Sequence, residues 1–329
     1  MGFGTFLVVL VILQILILFI SPFFKNTPFI SIYYKYAYEP VVQDNKKYRW
    51  KFHIVPIFYI TLFIYLVINF YAKVEPLIHD KLTYFERFFF IPISIISTPF
   101  FGIITMLINP DTALMYSNDS IKKYAYDRIL YFPDTECKTC KVEKPARSKH
   151  CAVCDQCILV NDHHCVWVNN CIGRGNFLYF YLFLFDNTLF MSYASMRLLE
   201  ITLNFRRAGE NVPRDVMTLD ILCGCFLFIC GTFSYMQLLI VKDGMTTNEK
   251  DKWYTIQCLM EDKKLVKSSD NNWYISFVND QGETEFYSTN AYDHKKYQLT
   301  EYKVIDNVED IPNIYDKGSL WKNFKDFCE

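Results

Sequence analysis

A cluster of cysteine and histidine residues is the part of this 329-residue chain whose residue types could do chemistry. Seven of the twelve cysteines and three of the six histidines lie between positions 137 and 171. Cys-x-x-Cys pairs followed by further cysteines and histidines have the spacing of metal ligands, and tetrahedral zinc is the usual occupant of such sites. The segment therefore predicts zinc binding.

The number of candidate ligands exceeds what two closed zinc sites need, because each such site takes about four. The candidates are Cys137, Cys140, His150, Cys151, Cys154, Cys157, His163, His164, Cys165 and Cys171. Three consecutive side chains can hardly all bind one tetrahedral ion, so the spare cysteine and histidine are expected within His163-His164-Cys165. If His164 turns to a metal, His163 and Cys165 can share the opposite side, where Asp162 could orient the imidazole. Such a Cys–His–Asp arrangement suits nucleophilic catalysis; the alternative is that all these residues bind or support zinc.

Long apolar stretches dominate the rest of the chain. Five of them reach the length of about 20 residues that a bilayer requires, and in hydrocarbon they must be helices. They cover residues 3–24, 52–72, 88–110, 175–196 and 221–241, and Asp186 is the one charged residue among them, since His53 is neutral. The composition, 52% hydrophobic with a formal net charge of −1, argues against a disordered chain, a small disulfide scaffold and a nucleic-acid binder.

Lysine and arginine are concentrated in residues 25–52, 111–174 and the segment after 241, which predicts that these segments face the cytosol. Cytosolic thiols stay reduced, which favours zinc over disulfides. Asn118 would carry a glycan only if this topology were inverted. The predicted fold is an α-helical integral membrane protein with about five transmembrane helices, a cytosolic two-zinc cysteine-rich domain and a small α+β C-terminal tail. The predicted domains are 1–110 with three membrane helices, 111–174 with the cysteine-rich domain, 175–241 with two membrane helices, and 242–329 with the tail.

The order of residues in the cysteine-rich segment resembles that of a known family, the DHHC protein S-acyltransferases or palmitoyltransferases. The matching residues are Cys137-x2-Cys140, Lys144-Pro145-x-Arg147-x2-His150-Cys151-x2-Cys154-x2-Cys157 and Asp162-His163-His164-Cys165-x-Trp167-x2-Asn170-Cys171. Two flanking motifs are also similar to the family's: Thr246-Thr247-Asn248-Glu249 after the last apolar stretch, and Asn313, Tyr315 and Asn323 near the end of the chain. The chain departs from the family at Val166, where proline is usual, and at Asn109-Pro110-Asp111, where the family has Asp-Pro-Gly.

The resemblance implies a role for each matched residue. One structural zinc ion would bind Cys137, Cys140, His150 and Cys157, and the other would bind Cys151, Cys154, His164 and Cys171. Cys165 would be the catalytic nucleophile, His163 would activate it, and Asp162 would orient His163. Thr247 would support Asp162, and Asn323 would brace the junction between membrane and cytosol.

The implied activity is transfer of a long-chain fatty acyl group, palmitoyl, from acyl-CoA through a Cys165 thioester to cysteines of proteins at the cytosolic membrane face. The implied partners are therefore membrane protein substrates and the lipid bilayer, without nucleic acid. The departures are similar to those of a fungal branch that acts on SNARE-type proteins at the endoplasmic reticulum, so that membrane or the Golgi is the expected location. The alternative is a non-catalytic, membrane-anchored zinc-binding interaction module.

Four residues near the cysteine cluster have two readings each. Arg147, Lys149 and Arg174 are predicted to bind acyl-CoA by meeting its phosphates, although contact with anionic lipid would explain them equally well. Trp167 is predicted either to line the active site with them or to anchor the protein in the membrane interface. Asp186 is expected to be held in a structural role by neighbouring hydrogen-bonding groups.

Overall fold

The computed structural model describes residues 13–14, 16–17, 20–25, 27–42, 46–115 and 124–329. Most of the predicted first span and the Asn118 glycan acceptor lie outside these residues. The chain divides into two units, Met1–Tyr59 and Ile60–Glu329. The described helical elements of the first unit, before residue 54, are α1 (Pro28–Tyr33), a π-helical turn (Tyr34–Tyr38), α2 (Glu39–Val42) and a 3-10 helix (Lys46–His53).

The helical elements from residue 54 to residue 242 are mostly apolar. They are α3 (Ile54–Asn69), a π-helical turn (Phe70–Val74), α4 (Glu75–Ile78), a second π-helical turn (Glu86–Phe90), α5 (Ile91–Leu107), α6 (Phe177–Arg207) and α7 (Arg214–Lys242). Among the described residues, three helical stretches are long and apolar enough to cross a membrane: Arg49–Ile78, Glu86–Leu107 and Arg214–Lys242. The predicted span 175–196 lies almost wholly in α6, a helix of 31 residues that is not among these three stretches.

Two prolines explain the π-helical turns of the second unit. The N–H of Glu75 bonds to the carbonyl of Phe70, and that of Ile91 bonds to the carbonyl of Glu86, five residues back in each case. A proline follows each donor directly. Because proline has no N–H and its ring crowds the carbonyl four residues earlier, a wider turn relieves the clash while the helix continues.

Polar side chains that are partly or wholly buried join the three helices α5, α6 and α7. The carboxylate of Asp186 on α6 accepts hydrogen bonds from Ser97 and Thr98 on α5, at 3.1 and 2.7 Å. Two residues further along, Thr188 on α6 hydrogen-bonds Ser234 on α7 at 2.7 Å. Hydrogen bonds of this kind hold helices together where lipid surrounds them. Asp186 therefore has a structural role as predicted, but its partners are on α5, whereas its sequence neighbours Asn187 and Thr188 bond elsewhere.

Glu86 lies at the end of α5 and α6 that is remote from the cysteine-rich segment. Its carboxylate accepts hydrogen bonds from Tyr193 and Arg197 on α6, both at 2.8 Å. The loop before α5 and the end of α6 are therefore on the same side of the helices.

The cysteine-rich segment forms two short antiparallel hairpins. Their strands are β1 (Lys149–Cys151) with β2 (Gln156–Ile158), and β3 (His163–Cys165) with β4 (Asn170–Ile172). The second hairpin leads within a few residues into α6. This connection fixes the hairpin at one end of the membrane helices.

The residues after α7 form a helix, a sheet and a terminal helix. The elements are α8 (Thr247–Glu261), β5 (Leu265–Ser268), β6 (Trp273–Val278), β7 (Thr284–Ser288), β8 (Lys296–Tyr297), β9 (Tyr302–Val304), a 3-10 helix (Val308–Asp310) and α9 (Leu320–Cys328). The five strands form one antiparallel sheet in the order β8-β7-β6-β5-β9. The sheet packs on α8, with Leu265 and Trp273 of the sheet in one apolar cluster with Trp253 of the helix. The β6–β7 pairing confirms the hairpin that the alternating aromatic residues and the intervening turn residues predict.

Candidate active site and metal centres

Each hairpin places one histidine directly opposite one cysteine. His150 on β1 faces Cys157 on β2, and His164 on β3 faces Cys171 on β4. Directly opposed residues on one face of an antiparallel pair have side chains about 5 Å apart. Every hairpin thus supplies two ligands from the same face, and a Cys-x-x-Cys pair supplies the other two.

Two groups of potential ligand atoms result, and within each group the atoms lie within 4.8 Å of one another. The groups are Cys137, Cys140, His150 and Cys157, and then Cys151, Cys154, His164 and Cys171. These are the two sets that the family resemblance implies. Three thiols and one imidazole form a donor set that fits tetrahedral zinc.

The histidine orientations agree with metal binding. Nδ1 of His150 is 3.2 Å from Sγ of Cys140, and Nδ1 of His164 is 3.5 Å from Sγ of Cys154. The other ring nitrogen of His150 faces Asp155 at 3.9 Å. An imidazole that binds zinc through one nitrogen commonly has a carboxylate near the other.

Cys165 lies outside both groups, although it is in the same strand as a ligand. Successive side chains of a strand point to opposite faces, so His164 points to its metal group while His163 and Cys165 share the other face. Of the seven cysteines at positions 137–171, all within the described chain, Cys165 is the one that no ligand group includes.

Asp162 is positioned to orient the imidazole of His163. Its Oδ2 is 2.6 Å from Nδ1 of His163, and the residue is only 3% exposed. The first turn of α8 holds the carboxylate, because Asp162 accepts hydrogen bonds from the backbone N–H of Thr247 and from its hydroxyl. Thr247 therefore contacts Asp162 as the resemblance implies.

The surroundings of His163 make it a strong base. Burial lowers its pKa, but hydrogen bonds to Asp162 and Cys165, together with their negative charges, outweigh burial and raise the pKa to about 10. The ring packs edge-on against Phe180 of α6 and Phe233 of α7, with centroids 5.4 and 6.4 Å apart. The His163 ring therefore lies against two long apolar helices, where it can accept a thiol proton beside an apolar wall.

Asparagine side chains fix the second hairpin to the end of α5. Asn170 donates to the carbonyls of Thr105 and Ile108, at 3.1 and 2.9 Å. Asn176 donates to the carbonyls of Ile108 and Cys171, at 3.1 and 2.8 Å. The bonds to Thr105 and Ile108 satisfy carbonyls at a helix C-terminus that have no partner within the helix. On the other side of the site, Asn323 donates to the carbonyl of Lys242 at the end of α7, in agreement with its expected bracing role.

Comparison with known proteins gives the same assignment as this geometry. A family model described as DHHC palmitoyltransferase matches residues 131–254. Palmitoyltransferase SWF1 of Saccharomyces cerevisiae is 46% identical over 332 aligned residues, which cover 97% of this chain and 98% of that protein.

The chain belongs to the DHHC palmitoyltransferase family.

The similarity to fungal SWF1 proteins extends over nearly the full length. Palmitoyltransferase SWF1 of Candida glabrata is 42% identical, with 97% of each chain covered. Palmitoyltransferase ZDHHC4 of Mus musculus is 44% identical over 90 residues, which cover 27% of this chain and 26% of that protein. DHHC relatives of two kinds are thus similar to this chain, but the match to the mammalian protein covers a much smaller part of it.

Arg147 does not have the exposure that its predicted contact with the phosphates of coenzyme A requires. The side chain is 0% exposed, and its guanidinium donates to both carboxylate oxygens of Glu249, at 2.7 and 2.6 Å. A guanidinium buried in an ion pair cannot meet a soluble ligand, so the structure corrects this prediction. Arg147 connects the cysteine-rich segment of this DHHC protein to the start of α8.

Three aromatic rings surround the same guanidinium. Its carbon lies 5.0, 4.6 and 5.1 Å from the ring centroids of Tyr124, Tyr315 and Phe327. Burial would lower the pKa of Arg147, but the charge and hydrogen bonds of Glu249 outweigh it and raise the pKa above its usual value. Such cation–π contacts add to the ion pair. The sequence motif shows neither contact, because Glu249 lies 102 positions from Arg147.

The other predicted coenzyme A contacts differ in their surroundings. Arg174 is largely buried and pairs with Asp111 at 2.8 Å. Lys149 is exposed on β1, and Trp167 is 48% exposed in the turn between β3 and β4. Lys149 and Trp167 are therefore the two of the four residues that the fold leaves open to a ligand or to lipid.

One residue near the site has no counterpart in the sequence predictions. Gln237 on α7 is 2% exposed, and its Nε2 donates to the hydroxyl of Thr247 at 3.2 Å. The sequence feature that marks Gln237 is its amide, because it is the single amide side chain in the apolar stretch 221–241.

Proposed function

We propose that this protein is a protein-cysteine S-palmitoyltransferase that works in two half-reactions through a thioester on Cys165. The observation that carries the proposal is the position of Cys165: it lies outside both ligand groups and is hydrogen-bonded to His163, whose ring packs against Phe180 of α6 and Phe233 of α7. The family membership and the names of the SWF1 and ZDHHC4 relatives support the same activity.

The first half-reaction loads the enzyme. Cys165 gives its proton to His163 and its sulfur attacks the thioester carbonyl of a long-chain acyl-CoA. The carbon–sulfur bond to coenzyme A breaks, and the departing thiolate takes the proton from His163. Asp162 holds the imidazole so that Nε2 is free to receive and return that proton.

The second half-reaction transfers the acyl group to a cysteine of a membrane protein near the cytosolic surface. The thiol of the substrate gives its proton to His163 and attacks the thioester on Cys165. Cys165 leaves as a thiolate and recovers the proton from His163. One thioester replaces another in both steps, so no further energy source is required. Each methylene of the acyl chain that enters an apolar site contributes about 0.8 kcal/mol, which favours a position between the membrane helices.

Two zinc ions complete the proposed structure. One would bind Cys137, Cys140, His150 and Cys157, and the other Cys151, Cys154, His164 and Cys171. Zinc at closed four-ligand sites supplies folding energy rather than reactivity. By joining the Cys-x-x-Cys pairs to the hairpins, the ions would hold β3 so that Cys165 faces the membrane helices.

The proposed topology has five transmembrane helices, with α3, α5, α6 and α7 preceded by the stretch 3–24. Residues 111–174 and 242–329 would face the cytosol as the catalytic domain and the tail. The lysine and arginine distribution and the free thiols support this orientation. The resemblance to the fungal SWF1 branch alone supports the endoplasmic reticulum as the membrane and SNARE-type proteins as substrates.

A hydroxylamine assay tests the proposal. Purified protein in detergent is incubated with a clickable long-chain acyl-CoA, and coenzyme A release and covalent label are measured together. Wild type is expected to release coenzyme A and to carry a label that hydroxylamine removes, whereas Cys165→Ala is expected to do neither. Cys258→Ala is the matched control, because this cysteine of α8 belongs to neither ligand group. Equal labelling of wild type and Cys165→Ala would contradict the proposal and leave the non-catalytic zinc module.

A further inference from the structure

The buried amide of Gln237 lies at the far end of a hydrogen-bonded series that leads to the catalytic residues. Gln237 is on α7, five residues before the helix ends at Lys242, and is 2% exposed. Its Nε2 is 3.2 Å from Oγ1 of Thr247, and that oxygen is 3.1 Å from Oδ2 of Asp162. The same Oδ2 is 2.6 Å from Nδ1 of His163.

Chemistry fixes the direction of every bond in this series. An ionised carboxylate can only accept, so the hydroxyl proton of Thr247 must point to Asp162. The hydroxyl then has only lone pairs left for Gln237, and the amide must present its N–H to them. The same bond directions identify which end of the Gln237 amide is the nitrogen and which is the oxygen, a choice that the heavy-atom positions alone leave open.

The amide is buried at some cost. Its Oε1 has no hydrogen-bond partner among the residues that the structure describes. A buried acceptor without a partner destabilises a fold, and an apolar side chain of the same length would avoid the penalty. A residue that only filled space at this position of an apolar helix would not need an amide, so the N–H directed at Thr247 is the feature that distinguishes Gln237.

We infer that Gln237 is a positioning residue of the acyl transfer reaction, acting on His163 through Thr247 and Asp162; this inference rests on the proposed function. The amide N–H holds the Thr247 hydroxyl in the rotamer whose proton reaches Asp162. Oδ2 of Asp162 then stays in place for Nδ1 of His163, and the opposite nitrogen of the ring stays directed to Cys165. Without the amide, the hydroxyl is free to turn to other acceptors and the carboxylate loses one of its fixed donors.

Gln237→Met tests this inference, because methionine keeps the length of the side chain and removes the donor. A single-turnover experiment with a long-chain acyl-CoA gives two readouts: the amplitude counts competent molecules, and the rate constant reports the chemistry of each. We expect the rate constant to fall about 10-fold with an unchanged amplitude. Removing a group that orients a metal-binding side chain through a hydrogen bond has an effect of this size. Ser234→Ala is the matched control: it removes a buried hydrogen bond of α7 that goes to Thr188 and not to Thr247, and is expected to keep the wild-type rate constant.

A double-mutant cycle separates positioning from structure. Thr247→Val removes the hydroxyl through which Gln237 is inferred to act, so adding Gln237→Met to it should change the rate constant by less than about twofold. If the factors by which the two single substitutions lower the rate constant multiplied in the double variant, the inference would be overturned. So would an unchanged rate constant in Gln237→Met, or a loss of amplitude alone. If wild type itself formed no acyl-enzyme on Cys165, the proposed function and not this inference would have failed.

Discussion

Replacing Asp162 with asparagine is expected to lower the rate constant of acyl-enzyme formation by about 10⁴-fold, the size of the loss when a triad carboxylate becomes an amide. The three donors around Asp162 are the reason. Nδ1 of His163 and the hydroxyl of Thr247 both meet Oδ2, while the backbone N–H of Thr247 meets Oδ1. An amide offers one accepting oxygen, so its NH₂ group must face either the histidine or the backbone N–H.

The consequence for His163 is a change of tautomer. If the NH₂ group faces Nδ1, that nitrogen must accept, so the ring proton moves to Nε2 and the base can no longer take the proton of Cys165. Single-turnover acylation of purified Asp162→Asn measures the effect, with melting temperature as the check on folding. Asp262→Asn is the matched control, because this exposed carboxylate pairs only with Lys264 among the contacts seen. A loss of less than about tenfold in Asp162→Asn would show that His163 does not depend on the carboxylate.

Breaking the Arg147–Glu249 pair is expected to destabilise the protein by about 3–5 kcal/mol, because either single replacement leaves a buried charge without its partner. Both side chains are almost completely buried, at 0% and 1% exposure. Among the described residues, Arg147→Met would leave the carboxylate of Glu249 with the N–H of Thr246 and the hydroxyl of Tyr131 as donors. Glu249→Met would leave the guanidinium among aromatic rings with the carbonyl of Gly244 as its nearest acceptor.

The double replacement is the informative comparison. With both charges gone, no buried ion remains without its partner, so Arg147→Met with Glu249→Met is expected to melt at a higher temperature than either single variant. Thermal unfolding in detergent measures the three variants, and Lys303→Met serves as control because its ion pair with Asp310 is exposed and worth about 1 kcal/mol at most. Additive losses in the double variant would contradict the account of a coupled buried pair.

The loss of this pair should also affect catalysis. Glu249 and Thr246 cap the first turn of α8 together. The carboxylate of Glu249 accepts from the backbone N–H of Thr246, and the hydroxyl of Thr246 accepts from the backbone N–H of Glu249. Thr247, which follows Thr246 in this turn, donates its backbone N–H to Asp162. Arg147 therefore anchors the same helix turn that holds the carboxylate of Asp162, whose role in catalysis is proposed above, although Arg147 itself is not in contact with that carboxylate.

The metal groups and the catalytic side could be predicted because both depend on short-range rules. Cys-x-x-Cys spacing brings two thiols to one ion, and strand alternation forces His164 to one face and Cys165 to the other. The ligand count then leaves one sulfur and one imidazole together. The division of the remaining ligands between two ions required the family resemblance, since spacing alone allows several pairings.

The roles of the charged residues could not be predicted because they depend on partners distant in sequence. Arg147 stands in a basic, hydrophilic stretch that is typical of a surface, and only the fold shows that Glu249 and three aromatic rings enclose it. Gln237 is the opposite case: the apolar helix around it predicts lipid or packing contacts, and its hydrogen bond to Thr247 depends on how α7 meets α8.

A native mass spectrum of the protein after single-turnover loading, combined with peptide mapping of the acylated cysteine, tests the central claim most directly. The account predicts one acyl group and two zinc ions on the same molecule, with the acyl group on Cys165, because the reacting sulfur belongs to neither ligand group. An acyl group on a cysteine of those groups, or loss of a zinc ion on acylation, would contradict it.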